Sequence, residues 1–497
     1  MDPEYDLIVV GGGPAGSTAA AVVAMRGHRV LLLERETFPR YQIGESLLPA
    51  TVHGLCGILG VADEVAEAGF TLKRGGTLRW GRDPKPWQFS FSMTPRLPEP
   101  TATAFQVERS RFDEILLRNA ARVGAEVREG TPVRRIVADD ERVRGVEYTD
   151  PDGNARTAYG RYVIDASGNT SRIHSGVGGT RVYSDFFRNL AVFGYFAGGR
   201  RFPEPNRGNI FCAAFDAGWL WYIPLRDDLT SVGAVISPEH NPDVQRDPRA
   251  AWQDMIRACP EVAELLDGVP TATEAPYDQV RVRKDWSYWK TDFWTPGMAL
   301  VGDAACFVDP VLSSGVHLAT YGALLAARAV NSALDGSVSE ERGFAEFEAR
   351  YRREYGVFYE FLIAFYDMER NEESYFWSAK KVTKVDSTEV AAFAELAGGL
   401  VSGDSAVLRA HGLGGPGGLG EQWSAAAAEL DGAVGQLATT DDRVNPLLTT
   451  RVVGETFRTG RDLQEQALYG GPLDASGTAE SGQLVPSDDG LGWVPAQ

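Results

Sequence analysis

The stretch YDLIVVGGGPAGSTAAAVVA, residues 5–24, constrains the fold of this 497-residue chain more than any other. YDLIVV reads as a buried strand, the glycines as a tight turn, and the alanine-rich run to about Met25 as a helix. HRVLLLE then returns as a second strand, completing a βαβ unit and requiring a parallel sheet with helices against it. Gly11, Gly13 and Gly16 satisfy GxGxxG at the strand–helix junction, with Pro14 and Ala15 opening the helix. The first glycine makes the turn, the second lets a pyrophosphate approach the backbone, and the third lets helix and strand pack closely. Free N–H groups and the positive end of the helix suit phosphate. Glu34, ending the second strand, stands where an acid takes ribose hydroxyls. With this context present, a dinucleotide site is the reading, and NAD and FAD both fit these residues.

Composition narrows the rest. Lys and Arg number 49 against 68 Asp and Glu, a net charge of −19, which gives a nucleic-acid partner no electrostatic support. Cys56, Cys212, Cys259 and Cys306 lie far apart without CxxC spacing and read as reduced thiols. The six histidines form no HExxH or HxxH pair, so no metal site is expected. No basic leader precedes the first strand and no apolar run is long enough for a bilayer, so a cytoplasmic protein without a membrane role is expected.

Further strands are expected at AEVREG, YVIDASG, NLAVFGYFAGG, GWLWYIP, LTSVGAVIS and GMALVGDAACF. GVHLATYGALLAARAVNSAL, residues 344–380 and EQWSAAAAELDGAVGQLA read as helices. GLGGPGGLG, near 412–420, reads as a linker, and the polar, Gly- and Ser-rich tail has little packing capacity. A core over 1–340, with discontinuous cofactor and substrate parts, and a helical region over 341–497 follow from this division.

VIDASG (163–168) ends a strand in small residues, and MALVGDAACFVDP (298–310) puts Asp303 after a strand, where a carboxylate can accept from a ribityl or ribose hydroxyl. The ordered set GGGPAGS, VIDASG and VGDAA resembles the FAD fold of the aromatic hydroxylases over roughly residues 5–340. The resemblance implies an α/β protein with a Rossmann-like FAD-binding domain, a mixed β-sheet substrate region and a helical C-terminal region. It also implies that Arg109, in QVERSRFDEILL, lies near the FAD.

GWLWYIPL, residues 218–225, alternates large aromatics, placing Trp219, Trp221 and Ile223 on one strand face, with Pro224 expected to end the strand. Core packing is the plain reading. The segment also matches WxWxIP, and with the FAD set it resembles the flavin-dependent halogenases, where Trp219, Trp221, Ile223 and Pro224 would shield the flavin from organic substrate. FTLKRGGTLRWG resembles that family's lysine segment and makes Lys73 the catalytic candidate, with Arg74 a surface or phosphate-binding charge. The lysine would hydrogen-bond hypochlorous acid or, if desolvation leaves it neutral, be chlorinated itself. DPVLSSGVHLA fits the halide site, with Ser313, Ser314 and Gly315 at a loop entering a helix. Tryptophan halogenases carry a glutamate where this chain has Leu312, which counts against free tryptophan. YQIGESLLPAT resembles the segment of phenol and pyrrole halogenases in which Glu45 and Ser46 line the tunnel to Lys73; Glu45 is either a proton-transfer partner or a buried structural carboxylate.

FPRYQIGESLLPATVHG, SSGVHLATYGALLAARAVNS, RREYGVFYEFL and NEESYFW are similar to the tyrosine halogenases of vancomycin- and teicoplanin-type glycopeptide pathways. That resemblance implies chlorination of a tyrosine or β-hydroxytyrosine ring held as a thioester on a peptidyl carrier domain. Reduced FAD from a separate flavin reductase, O2 and chloride would act through a C4a-hydroperoxide and hypochlorous acid. Asp285 is read as a surface or capping residue, with a flavin ester the alternative, and His317 as packing or capping. An FAD phenol hydroxylase and a non-catalytic flavoprotein that binds carrier domains are the competing readings.

Overall fold

The computed structural model describes residues 3–80, 86–93, 97, 100–370, 397–399 and 484–495. The linker near 412–420, the helix expected after it and most of the tail lie outside these residues.

The first strand, β1 (Tyr5–Val10), leads through the glycine turn into α1 (Pro14–Ala24), and β2 (Val30–Leu33) returns parallel to β1, Leu7 opposite Val30. Every residue of α1 is buried, which is why its sequence is alanine-rich rather than amphipathic. The chain continues through β3 (Thr71–Lys73), β4 (Gly75–Arg79), β5 (Trp87–Ser90), β6 (Ala104–Gln106) and α2 (Arg109–Arg122). Next come β7 (Glu126–Arg128), the hairpin β8 (Val133–Ala138) and β9 (Val143–Thr149), and β10 (Ala155–Asp165). The order of the first sheet from its far edge begins with two strands of later sequence, β16 (Trp294–Thr295) and β17 (Met298–Leu300), followed by β10, β1, β2 and β7. The five strands from β17 to β7 run parallel, as buried βαβ units require.

The second sheet is mixed. It runs β18 (Cys306–Phe307), β15 (Arg281–Lys290), β11 (Arg181–Phe196), β14 (Leu229–Ile236), β13 (Gly218–Arg226), β12 (Ile210–Phe215), β4 and β5, with only the β12–β4 pair parallel. Strand alternation gives this sheet two apolar faces. Trp219, Trp221 and Ile223 face the main core, whereas Leu220 and Tyr222 face a smaller cluster under α3 (Pro248–Arg257). Trp252 of α3 fills that cluster and donates its indole N–H to the Val232 carbonyl at 3.1 Å.

One boundary differs from the sequence reading: β13 does not end at Pro224. The strand runs on to Arg226, with Pro224 paired to Thr230 and a bulge behind it. Proline is tolerated because the ladder to β12 stops at Tyr222, so no strand on that side needs its missing N–H.

Helices α4 (Gly315–Asp335) and α5 (Glu340–Arg370) cover the first sheet and join its core through Leu325, Phe344, Phe347 and Tyr351. Residues 484–495 depart from the expectation of a weakly packing tail. Two short strands, Leu484–Pro486 and Trp493–Pro495, pair there. Trp493 is wholly buried, and Asn331 of α4 donates to the Leu491 carbonyl at 2.7 Å. Among the described residues, no helix is long and apolar enough to cross a membrane.

Candidate active site

At the nucleotide corner, close backbone approach does the work. Gly11 sits at φ +103°, and a Cβ there would lie 2.6 Å from the Ala166 carbonyl oxygen of the VIDASG loop. A Cβ on Gly16 would lie 1.8 Å from the Gly11 carbonyl oxygen, so only glycine closes this turn. At Gly13, the N-cap of α1, an added Cβ would meet nothing nearer than Arg40 Nη2 at 3.4 Å. That open cradle, with free helix N–H groups at Ala15 and Gly16 and a guanidinium above it, fits a pyrophosphate. Arg40, which the sequence reading missed, is itself held by Asp113 at 2.8 Å. Glu34 follows directly on β2, its oxygens taking the N–H groups of Gly12 at 2.5 Å and Glu36 at 2.8 Å. Asp303 follows β17 in a turn whose Gly302, at φ +59°, packs against Ala15 of α1. Burial pushes the Asp303 carboxyl up to about 6, with Arg109 and Arg181 pulling the other way. Arg109 is spent on the protein: it grips Asp113 at 2.7 and 2.9 Å and the carbonyls of Ile43 at 2.6 Å and Gly44 at 3.2 Å. It thereby fixes the turn leading into Glu45. These residues fit FAD: the glycine turn and Arg40 would hold its pyrophosphate, Glu34 its ribose and Asp303 its ribityl or ribose hydroxyls.

Trp219 and Trp221 form part of a continuous aromatic wall. Ring centroids step from Phe193 to Trp221 at 5.7 Å, to Trp219 at 6.0 Å, to Trp80 at 6.2 Å, and from Trp80 to Phe365 of α5 at 4.4 Å. Gly233, opposite Trp221 on β14, makes room for it; a Cβ there would sit 2.3 Å from the indole ring. The two indole N–H groups lead to different places. Trp221 donates to Ser231 Oγ at 3.1 Å. Trp219 donates to the Tyr366 hydroxyl at 2.5 Å, which in turn donates to Asp309 of the DPVLSSG loop at 2.7 Å. Asp309 has no solvent exposure, and burial pushes its carboxyl up to about 6. Neither Tyr366 nor Asp309 was singled out in the sequence. The spacing of 57 residues between them leaves no local signal.

Lys73 and Glu45 are both 2% exposed, yet their surroundings differ. Residues 45–47 run extended beside β6, with Val107 donating to the Glu45 carbonyl and Leu47 to that of Phe105. Successive side chains therefore point opposite ways. Ser46 faces Lys73, whose Nζ donates to Ser46 Oγ at 2.8 Å and the Leu47 carbonyl at 3.0 Å and lies 5.5 Å from the Phe91 ring centroid. Among the described residues no carboxylate pairs with Lys73, so burial lowers its amine to about 7. Glu45 faces away, accepting the Tyr195 hydroxyl at 2.8 Å. The structure thus joins Ser46 to Lys73 and, among the described residues, shows no hydrogen bond or ion pair between Glu45 and Lys73. Burial pushes the Glu45 carboxyl up to about 7, against the nearby Ser231 and Tyr195 hydroxyls and the Arg109 charge.

In the halide loop, Ser313 adopts φ 61°, a left-handed conformation costly for a residue with a Cβ. It turns the chain so that Ser314 caps α4 and Gly315 starts it, leaving N–H groups at the helix entrance without intrahelical partners. Ser314 Oγ is buried without a hydrogen-bond partner among the described residues. Leu312 is buried as an apolar side chain. His317 packs as expected, its Nε2 2.8 Å from Glu354 of α5 and its ring stacked on Tyr321. Arg74 is half-buried, its backbone tied to Asn209 and Phe91. Asp285 lies in β15 opposite Asn189.

A family model described as tryptophan halogenase matches residues 6–102 and 94–405. A tryptophan 2-halogenase of Chondromyces crocatus is 35% identical over 384 residues, covering 76% of this chain and 70% of that protein. Among solved structures, the myxobacterial chondrochloren halogenase CndH, a variant of FAD-dependent halogenases, is 48% identical with a TM-score of 0.76 and 99% of both chains covered. CmlS, a flavin-dependent halogenase, is 34% identical with a TM-score of 0.68, over 79% of this chain and 70% of its own. With the FAD cradle, the tryptophan wall and the buried lysine in place, the chain belongs to the tryptophan halogenase family and is an FAD-dependent halogenase.

Proposed function

We propose that the protein chlorinates the phenol ring of tyrosine or β-hydroxytyrosine, held as an aminoacyl or peptidyl thioester on a peptidyl carrier domain, as in glycopeptide antibiotic assembly. Reduced FAD from a separate flavin reductase, with O2, supplies the oxidising power that converts chloride to hypochlorous acid. The N–H groups at Ser314 and Gly315, with the Ser314 hydroxyl that has no partner among the described residues, hold chloride. Trp219 and Trp221 keep the phenol from the flavin side, which disfavours hydroxylation.

The observation that carries the reading is Lys73, an amine buried with no carboxylate partner among the described residues and poised near pH 7. About half of such amines are neutral at that pH. The neutral Nζ displaces hydroxide from chlorine; one N–H proton leaves with it as water, forming an N–Cl bond. The ring's π electrons then form the C–Cl bond while the N–Cl bonding pair stays on Nζ, which takes up the displaced ring proton. Buried, apolar Leu312 and the sequence resemblance around residues 38–54 support a phenol over free tryptophan.

The test is mass spectrometry of a reconstitution with FAD, flavin reductase, NADH, O2 and chloride, offering free tyrosine, free tryptophan and carrier-bound tyrosyl peptide in separate tubes. A chlorine isotope pattern on the carrier-bound phenol alone is expected. Chlorination of free tryptophan alone would overturn the proposed substrate.

A further inference from the structure

Glu45 turns its back on Lys73 and joins a different chain of groups. Its Oε1 accepts the Tyr195 hydroxyl at 2.8 Å, and the Tyr195 oxygen lies 2.6 Å from the Tyr41 hydroxyl. A phenol has one proton to donate, so with Tyr195 donating to Glu45, Tyr41 donates to Tyr195. Both hydroxyls therefore point inward. Tyr41 is half-buried, its ring capped by the Arg281 guanidinium at 4.0 Å, so the chain begins near solvent and ends in the core. The other carboxylate oxygen, Oε2, is buried without a well-formed hydrogen bond among the described residues. Ser231, opposite Tyr195 on β14, accepts the Trp221 N–H and keeps its own hydroxyl proton toward Glu45, which places Glu45 beside the tryptophan wall. Arg109 holds the carbonyls of Ile43 and Gly44 just before Glu45 and grips Asp113, which also holds Arg40 of the pyrophosphate cradle, so the segment carrying Glu45 is tied to the cofactor side.

We propose that Tyr41 and Tyr195 are a proton wire that reloads Glu45 from solvent, and that Glu45 Oε2 hands the proton to the flavin side of the tryptophan wall. A proton leaves Oε2; Tyr195 gives its proton to Oε1, Tyr41 gives its own to Tyr195, and a solvent acid restores Tyr41. One proton enters and one leaves; the carboxyl then turns over to carry its new proton into the Oε2 position, and each hydroxyl rotates back to donate inward. The groups that set this titration are Tyr195 of β11, Ser231 of β14, Arg109 and Glu108 at the start of α2, and Tyr277, whose hydroxyl donates to Glu108 at 2.7 Å. The destination of the proton rests on the flavin-dependent assignment; the wire does not depend on the substrate proposed above.

Two readouts on FAD-loaded protein test it. The first is an infrared pH titration of protonated carboxyl bands. Wild type shows a band titrating near pH 7 that Glu45→Gln removes. Tyr195→Phe, which deletes a donor to the charged form, moves that midpoint upward; Tyr41→Phe, which does not touch Glu45, moves it less. The second is proton uptake after flash photoreduction of the flavin, followed with an indicator dye above pH 7. Both Tyr→Phe variants should slow uptake about a hundredfold, the lower range for a positioned proton donor. Wild-type uptake rates in both variants, or a carboxyl spectrum unchanged by Glu45→Gln, would overturn the wire. Neither result would touch the halogenase assignment, which stands or falls on chlorine incorporation.

Discussion

The nucleotide corner and the Lys73 corner solve opposite problems. At Gly11–Gly16 the chain removes side chains so that backbone can approach backbone, and the ligand's charge meets N–H groups and a guanidinium at the surface of the turn. At Lys73 and Glu45 it drives two ionisable side chains into the interior without pairing them to each other. The first arrangement is geometric and tolerates no added atom. The second is dielectric: burial, outweighing the hydroxyls and the Arg109 charge around Glu45, brings a lysine and a glutamate, ordinarily far apart in pKa, to about the same value near 7. A group that gains and loses a proton near neutral pH is useful to proton and chlorine transfer, and it carries a cost in stability.

The wall between the two corners should be the most sensitive to truncation. Trp221→Ala leaves a cavity opposite Gly233 and should cost about 3–5 kcal/mol in denaturant unfolding. The same variant should lose chlorinated product while flavin oxidation continues. Next in size is Lys73→Met, which should stabilise the protein at pH 7 by on the order of a few kcal/mol. The sign follows from linkage. With the folded pKa lowered to about 7, the unfolded chain holds the extra proton from there up to the ordinary lysine value, so wild-type stability rises with pH across that window. Unfolding curves from neutral to alkaline pH should show that slope in wild type and lack it in the variant. Glu45, raised to about 7, has the opposite slope: its folded form keeps a proton that the unfolded chain loses, so stability falls from about pH 4.5 to 7, and Glu45→Gln should flatten that fall.

Gly16→Ala should cost about 1–3 kcal/mol, since the added methyl meets a backbone oxygen that cannot swing away, and should abolish flavin retention on gel filtration. Trp219→Phe should have the smallest effect, about 1 kcal/mol, from the lost N–H bond to Tyr366. Retention of full stability by Trp221→Ala with loss on Trp219→Phe would invert the comparison.

The two corners also differ in how far the sequence discloses them. The glycine fingerprint is legible because its function is local: the turn, the helix start and the returning strand lie within one βαβ unit. The same holds for the alternation of Trp219, Trp221 and Ile223, which a strand imposes by itself. Tyr366 and Asp309, or Tyr195 and Glu45, meet only because distant elements pack together, the latter pair 150 residues apart. No periodicity announces such a pair. Pro224 shows a subtler limit. Its effect on a strand depends on whether a neighbour needs its N–H, and that is decided by where β12 stops.

The central claim is that Lys73, not the flavin site, delivers chlorine to the ring. The most direct test gives wild type and Lys73→Met the same reduced FAD, O2 and chloride, and measures chlorinated phenol alongside hypochlorous acid captured by an added trap. The account predicts that the variant still fills the trap but forms chlorinated phenol at least about a hundredfold more slowly. Equal rates of phenol chlorination in the two proteins would contradict it.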